Sequence, residues 1–163
     1  MCEVRIYLTN LAQYTAGRLI GKWFDLPLTE EELDIALKEV LGSDEEYFIT
    51  DYESDFRIEE YDNLSELNNF VEKLSELREY DQEKVIYLSE TIGYTREESL
   101  EKHEDVMFYK DMTLEDVARE LVEEGIFGDI ADNIKCYLDY ESIARDLSID
   151  SYHETSKGTF QYQ

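Results

Sequence analysis

The chain has 163 residues, enough for one ordinary domain or two to three very small ones. Hydrophobic residues make up 42% and aromatic residues 13%, which excludes a disordered acidic tail. Aspartate and glutamate number 41 against 15 lysines and arginines, for a formal net charge of −26; direct nucleic-acid binding needs basic patches and is excluded by that balance.

Self-repulsion of this size opposes compactness, so the charge points to a cationic partner. One proline and seven glycines leave little room for a linker. The opening MCEVRIYLTN has no basic segment followed by an apolar run, and no apolar stretch approaches the ~20 residues needed to span a bilayer. A cytoplasmic protein is expected, without a membrane partner. Its thiols should then be reduced, Cys2 within the first strand and Cys136 as a small core residue.

Val4, Ile6 and Leu8 alternate with Arg5 and Tyr7 as in a half-buried strand. Asn10 to Gly17 reads as a loop and Leu19 to Phe24 as a second strand. A helix is expected over 30–41, with Thr29 and Glu32 at capping-box spacing, Gly42 as the stop and Leu33, Leu37, Val40 and Leu41 as the apolar face. Tyr47 to Tyr52 reads as a third strand. Leu64, Leu67, Phe70, Val71, Leu74 and Leu77 form one helical stripe. A helix over 82–92, with Asp81 as N-cap and Gly93 as stop, is followed by one over 96–103 capped by Thr95 with Glu98 three residues on. Val106 to Tyr109 reads as a short strand. The helix over 114–124 has Thr113 and Asp116 at reciprocal capping positions, Gly125 as stop and Leu114, Val117, Ala118, Leu121 and Val122 on one face. Helical segments fit 132–138 and 140–147, and Ser156-Lys157-Gly158 reads as a turn between two terminal strands. The expected fold class is α+β, as three small units: 1–62 with strands and a helix, 63–104 helical, and 105–163 with helices and short strands.

Residues 1–28 are nearly neutral, whereas 29–66 hold fifteen acids against Lys38 and Arg57, 97–124 hold eleven against three bases, and 125–163 hold seven against three. Acids three and four apart share a helix face, as do Glu115, Asp116, Glu120, Glu123 and Glu124 around the solvent side of their helix. Duplex DNA carries one charge per ~1.7 Å of axis, so a charge of this size matches ~44 Å of duplex. A compact globule of this length has a radius of gyration of only ~15 Å. A rod of three units, or a dimer of such rods, would approach duplex dimensions better. The competing reading of an acidic run is a solvated face; eight remaining lysines argue against halophilic adaptation.

Asp51 to Asp62, DYESDFRIEEYD, places acids at the spacing of an EF-hand loop, but Phe56 occupies the position that needs glycine and Asp62 replaces the usual glutamate. His103 and His153 have no metal-ligand spacing with a cysteine or with each other, and no phosphate loop or nucleophile elbow occurs. The expectation is no catalytic residue, no metal, no cofactor and no enzyme. Tyrosines often adjoin acids, as in Glu46-Tyr47, Asp51-Tyr52, Glu60-Tyr61-Asp62, Glu79-Tyr80-Asp81 and Asp139-Tyr140-Glu141. Most should be core or boundary residues; exposed rings would offer flat faces to arginines.

Several ordered blocks carry a family resemblance over essentially the whole chain. They are Tyr7-Leu8-Thr9-Asn10-Leu11, Gly21-Lys22-Trp23-Phe24 with Leu26-Pro27, Ile49-Thr50-Asp51-Tyr52-Glu53, Phe127-Gly128-Asp129, and Tyr137-Leu138-Asp139-Tyr140-Glu141 running to Ala144-Arg145-Asp146-Leu147. In these blocks the chain resembles the ArdA antirestriction proteins. The resemblance implies a protein of mobile genetic elements that inhibits type I restriction–modification enzymes, elongated, three-domained and shaped and charged like bent B-DNA. It also implies a homodimer through the C-terminal domain, for which Ile126, Phe127, Tyr137, Leu138 and Tyr140 are the candidates; the competing role for these is that unit's own core.

On this reading the phosphate-mimicking acids are Glu30, Glu31, Asp34, Asp44, Glu45, Glu46, Asp51, Glu53, Asp55, Glu59, Glu60, Asp62 and Glu66 in the first part of the chain. In the last part they are Glu115, Asp116, Glu120, Glu123, Glu124, Asp129, Asp132, Asp139, Glu141 and Asp146. They would occupy the DNA-binding groove of the methyltransferase core. The alternative is a generic acidic decoy or chaperone for basic DNA-binding proteins.

Overall fold

The computed structural model describes residues 2–163 and is mixed α+β. By internal contacts the chain divides into two compact units, one reaching to Leu100 and one starting at Glu101.

The first unit is built on a three-stranded antiparallel sheet in the order β2-β1-β3, with β1 at Val4–Asn10, β2 at Gly21–Leu26 and β3 at Tyr47–Glu53. Val4, Ile6 and Leu8 are buried, as their alternation predicts. Asn10 to Gly17 is not simply a loop: α1 occupies Leu11–Thr15, started by the Asn10 side chain accepting the Gln13 N–H at 3.0 Å. That turn was hidden because five residues show no apolar period. The second strand runs later than Leu19 to Phe24, because its pairing with β1 extends from Thr9 opposite Gly21 to Val4 opposite Leu26. Leu19 and Ile20 precede it and are exposed.

Helix α2, Glu30–Leu41, has both bonds of the expected capping box and ends at Gly42, where φ is 57°. It buries Ala36 and Val40. Register shifts between β1 and β3 at Tyr7/Leu8, leaving Thr50 as an extra residue whose hydroxyl meets that of Thr9 at 2.8 Å.

Helix α3, Leu64–Glu76, is capped by Asn63 and buries Leu64, Leu67, Phe70, Val71 and Leu74; Leu77 lies just past its end, half-buried. Helix α4, Glu79–Tyr87, starts earlier than expected, so Asp81 is not its N-cap. Asp81 lies in the first turn and pairs with Arg78 at 2.8 Å and Lys84 at 3.5 Å. The helix widens into a π-helical turn over Leu88–Ile92 and stops at Gly93, which is left-handed. Helix α5, Arg96–Lys102, begins with reciprocal bonds between Thr95 and Glu98. One hydrophobic core takes Val4, Ile6 and Leu8 from β1, Ile49 from β3, Phe56 from the segment after β3, Leu67 and Leu74 from α3, and Val85 from α4. Residues before and after position 62 thus share a core.

The second unit holds an antiparallel sheet in the order β4-β6-β5, with β4 at Met107–Lys110, β5 at Tyr152–Thr155 and β6 at Gly158–Gln161. The terminal hairpin turns at the expected place. Helix α6, Leu114–Glu123, carries the Thr113–Asp116 capping box and buries Val117, Ala118, Leu121 and Val122. Helix α7 is shorter than expected, Asp132–Lys135, and α8 longer, Tyr140–Asp150. Val117, Ala118 and Leu121 of α6 pack with Ala144 and Leu147 of α8.

The cysteine expectations are corrected. Cys136 is exposed, because α7 is one turn with no buried residue. Cys2 precedes β1 rather than lying in it; its N–H donates to Gln82 Oε1 at 3.2 Å, and burial pushes its thiol pKa up. No helix of the described residues is long and apolar enough to cross a membrane.

Candidate functional site

The acids singled out from sequence are exposed in both units, except Asp44, Asp62 and Glu120, which are half-buried. Amphipathic helices produce this arrangement. On α2, burying Ala36 and Val40 turns Glu30, Glu31 and Asp34 to solvent. On α6, burying Val117, Ala118, Leu121 and Val122 does the same for Glu115, Asp116 and Glu123. On β3, Asp51 and Glu53 stand directly across from Tyr7 and Arg5.

The geometry sorts these acids by what else they do. Four are built into the fold. Asp44 accepts from Gln13 Nε2 at 2.9 Å and Asn10 Nδ2 at 3.0 Å, bonds that hold its carboxyl below the usual range. Asp62 accepts the Glu59 N–H at 2.8 Å and pairs with Arg96 at 2.8 Å. Asp116 and Asp139 cap α6 and α8; bonds with Thr113 lower the pKa of the first, and bonds from Ser142 that of the second.

Another group has a local base. Glu53 meets Arg5 at 3.2 Å, Glu59 meets Arg57 at 2.8 Å and Glu115 meets Arg119 at 2.9 Å. Lys135 lies 3.2 Å from Glu123 and 3.4 Å from Asp132. Exposed pairs of this kind contribute only ~0.2–1 kcal/mol and exchange readily for an outside cation. The remainder are Glu30, Glu31, Asp34, Glu45, Glu46, Asp51, Asp55, Glu60, Glu66, Glu120, Glu124, Asp129, Glu141 and Asp146. Among the described residues none of these has a basic side chain within 4.0 Å.

Asp51 to Asp62 do not wrap a cation. Asp51 and Glu53 belong to a strand, Phe56 is buried in the core and Asp62 is engaged by Arg96. Among the described residues no group of three or more His, Cys, Asp or Glu is placed to hold a metal ion. His103 lies in a 3₁₀ turn after α5 and His153 on β5.

The tyrosines divide as expected between buried and open positions. Tyr87 is buried and Tyr47 half-buried, whereas Tyr52, Tyr61 and Tyr80 are exposed. Some already carry cations: Lys84 Nζ lies 4.8 Å from the Tyr80 ring centre, and the Arg119 guanidinium 4.2 Å from that of Tyr140. Burial, followed by the neighbouring Tyr152 phenol and then the charges of Glu124 and Glu120, pushes the Tyr109 phenol up to about 12.

Ile126, Phe127 and Tyr137 are 64%, 52% and 84% exposed, so they are not core residues. Leu138 and Tyr140 are half-buried, and Tyr140 packs against the α6–α8 core. Ile134, 51% exposed, belongs with this apolar segment. It went unnoticed in the sequence, although its spacing of three from Tyr137 is a helical signal. A second feature missed was the outer face of the first sheet, where Arg5, Trp23 and Asp25 meet; only the strand register brings them together.

The profile of the family described as antirestriction protein (ArdA) matches residues 6–161. No curated protein matches the chain. Since that profile spans nearly every element of both units, the chain belongs to the ArdA family of antirestriction proteins.

Proposed function

We propose that this protein protects DNA from type I restriction–modification enzymes by standing in for B-DNA in the DNA-binding groove of their methyltransferase core. Membership of the ArdA family makes antirestriction the activity. The mechanism rests chiefly on the exposed carboxylates without a basic partner, which occur in both units. A groove built for DNA presents lysines and arginines at phosphate spacing. Carboxylates held in a fixed arrangement can meet them with little reorganisation, and the small counterions released on contact favour association. The acids named above are the proposed phosphate equivalents; those with no local base contribute most.

The protein acts as a homodimer through its C-terminal unit, with Ile126, Phe127, Tyr137, Leu138 and Tyr140 at the contact. Support comes from Ile126, Phe127 and Tyr137, which with Ile134 are large, apolar and open to solvent in one short segment.

Competition tests the proposal. A type I methyltransferase is held on its recognition duplex and the protein is titrated in at two salt concentrations. DNA should be displaced at a fixed stoichiometry, and less readily at high salt. Graded binding to any polycation, with no saturable displacement, would favour the acidic-decoy reading instead.

A further inference from the structure

We infer that the outer face of the first sheet is a docking surface for an arginine-bearing segment of the basic partner. Two cross-strand rows of three residues build it. Arg5 on β1 stands between Asp25 on β2 and Glu53 on β3, and Tyr7 on β1 stands between Trp23 and Asp51. The side chains of Arg5, Asp25 and Glu53 are 42%, 79% and 62% exposed, so the face is open.

The face already shows how a guanidinium sits on it. Arg5 Nε donates to Asp25 Oδ1 at 2.7 Å and Nη1 to Glu53 Oε2 at 3.2 Å, while its Cζ lies 5.2 Å from the Trp23 ring centre. Tyr7 meets Trp23 edge to face, with ring centres 5.5 Å apart, and lies over Gly21, where a Cβ would come within 2.6 Å of its ring. The two rings therefore form a fixed aromatic floor, and Asp51 stands beside Tyr7 as Asp25 stands beside Trp23.

Asp25, Glu53 and Asp51 share this face with one guanidinium, that of Arg5, for a net charge of −2. Each carboxylate can accept several hydrogen bonds, and Arg5 occupies one oxygen each of Asp25 and Glu53. An incoming guanidinium can lie on Tyr7 and pair with Asp51 and the second oxygen of Glu53, or exchange with Arg5. A planar, weakly hydrated guanidinium suits this floor better than an ammonium. The inference takes the partner's identity from the DNA stand-in reading and adds the chemistry of one contact.

Trp23 is the single tryptophan, so its emission reports on this face alone. A hexa-arginine peptide titrated into the intact protein should perturb that emission about two- to fivefold more tightly than hexalysine. The double variant Asp51→Asn, Glu53→Gln should weaken the arginine response by about two- to tenfold. Glu72→Gln with Glu76→Gln, which removes the same charge from α3, should weaken it less. Arg5→Gln, folded by circular dichroism, empties the built-in seat and should tighten it. Equal responses to the two peptides, equal losses in the two double variants, or weaker binding by a folded Arg5→Gln protein would each overturn the inference. An arginine-selective Trp23 response without displacement of DNA from the methyltransferase would refute the stand-in reading alone. Displacement unaffected by the β3 double variant would refute the docking surface alone.

Discussion

Asn10 is 2% exposed and joins three segments of the first unit. Its Oδ1 accepts the Gln13 N–H at 3.0 Å and starts α1. Its Nδ2 donates to the carbonyls of Val40 and Leu41 at 3.1 and 3.3 Å, closing the last turn of α2, and to Asp44 Oδ2 at 3.0 Å. Asn10→Ala removes a cap, ~0.5–2 kcal/mol, and leaves buried polar groups without partners, ~1–3 kcal/mol. A loss of about 2–4 kcal/mol should follow. Asn10→Asp is the sharper probe. It keeps the acceptor for Gln13 but turns the donor into an anion facing two carbonyls and a carboxylate. An unpaired buried charge costs ~3–5 kcal/mol, so at pH 7 this variant should be less stable than the alanine one.

The penalty must also depend on pH. Burial and the Asp44 charge raise the pKa of the new carboxyl in the folded state, and protonation restores its donor. Folding then binds a proton, so the variant regains stability relative to wild type as pH falls from 7 to 5. Asp44 itself has the opposite sign, because its lowered pKa contributes stability that disappears only as pH drops below the ordinary carboxylate range. Urea midpoints at both pH values measure the difference. An Asn10→Asp protein as stable as wild type at pH 7, or a gap that stays constant down to pH 5, would refute this reasoning.

Single amide replacements at Glu30, Asp55, Glu66, Glu120 or Asp146 should each weaken competition with DNA by less than about tenfold, with losses accumulating as replacements are combined; one all-or-none carboxylate would point to catalysis. In the second unit, Thr113→Ala should cost ~0.5–2 kcal/mol through its cap and Leu121→Ala ~2–5 kcal/mol through its core, both read from denaturant unfolding. Phe127→Ser with Tyr137→Ser should leave the fold unchanged and shift sedimentation toward monomer, since both rings are solvent-exposed in the isolated chain. Gly21→Ala should lower the thermal midpoint, because its Cβ would fall 2.7 Å from the Leu8 carbonyl and against Tyr7.

Local signals in the sequence survived where the physics is local. The Thr29–Glu32 and Thr113–Asp116 boxes and the α3 stripe were readable because capping and amphipathic period operate within one turn or one face. Asp81 misled because an acid at the start of a helix serves the first turn as well as the cap, and here it binds Arg78 and Lys84. Cys136 misled because apolar neighbours suggest a core, whereas the segment around it keeps Ile126, Ile134 and Tyr137 in solvent. For the candidate site, the exposure of the acids followed from composition. Which of them carry a local base did not, since Arg5–Glu53 and Arg96–Asp62 join residues far apart in sequence.

Every helix from α2 to α8 carries an acid in its first turn: Glu30 to Glu32, Glu66, Glu79 and Asp81, Glu97 and Glu98, Glu115 and Asp116, Asp132, and Glu141. There the backbone presents unbonded N–H groups and the positive end of the helix dipole. Much of the negative charge is thus lodged where an α-helix welcomes it, so a lineage could become this acidic with little harm to its helices. Acids near the other ends, such as Glu39, Glu76, Glu123 and Asp150, enjoy no such welcome. Neutralising the two sets should therefore move folding and binding in different combinations. First-turn amides should weaken both, whereas last-turn amides should weaken binding while firming the fold.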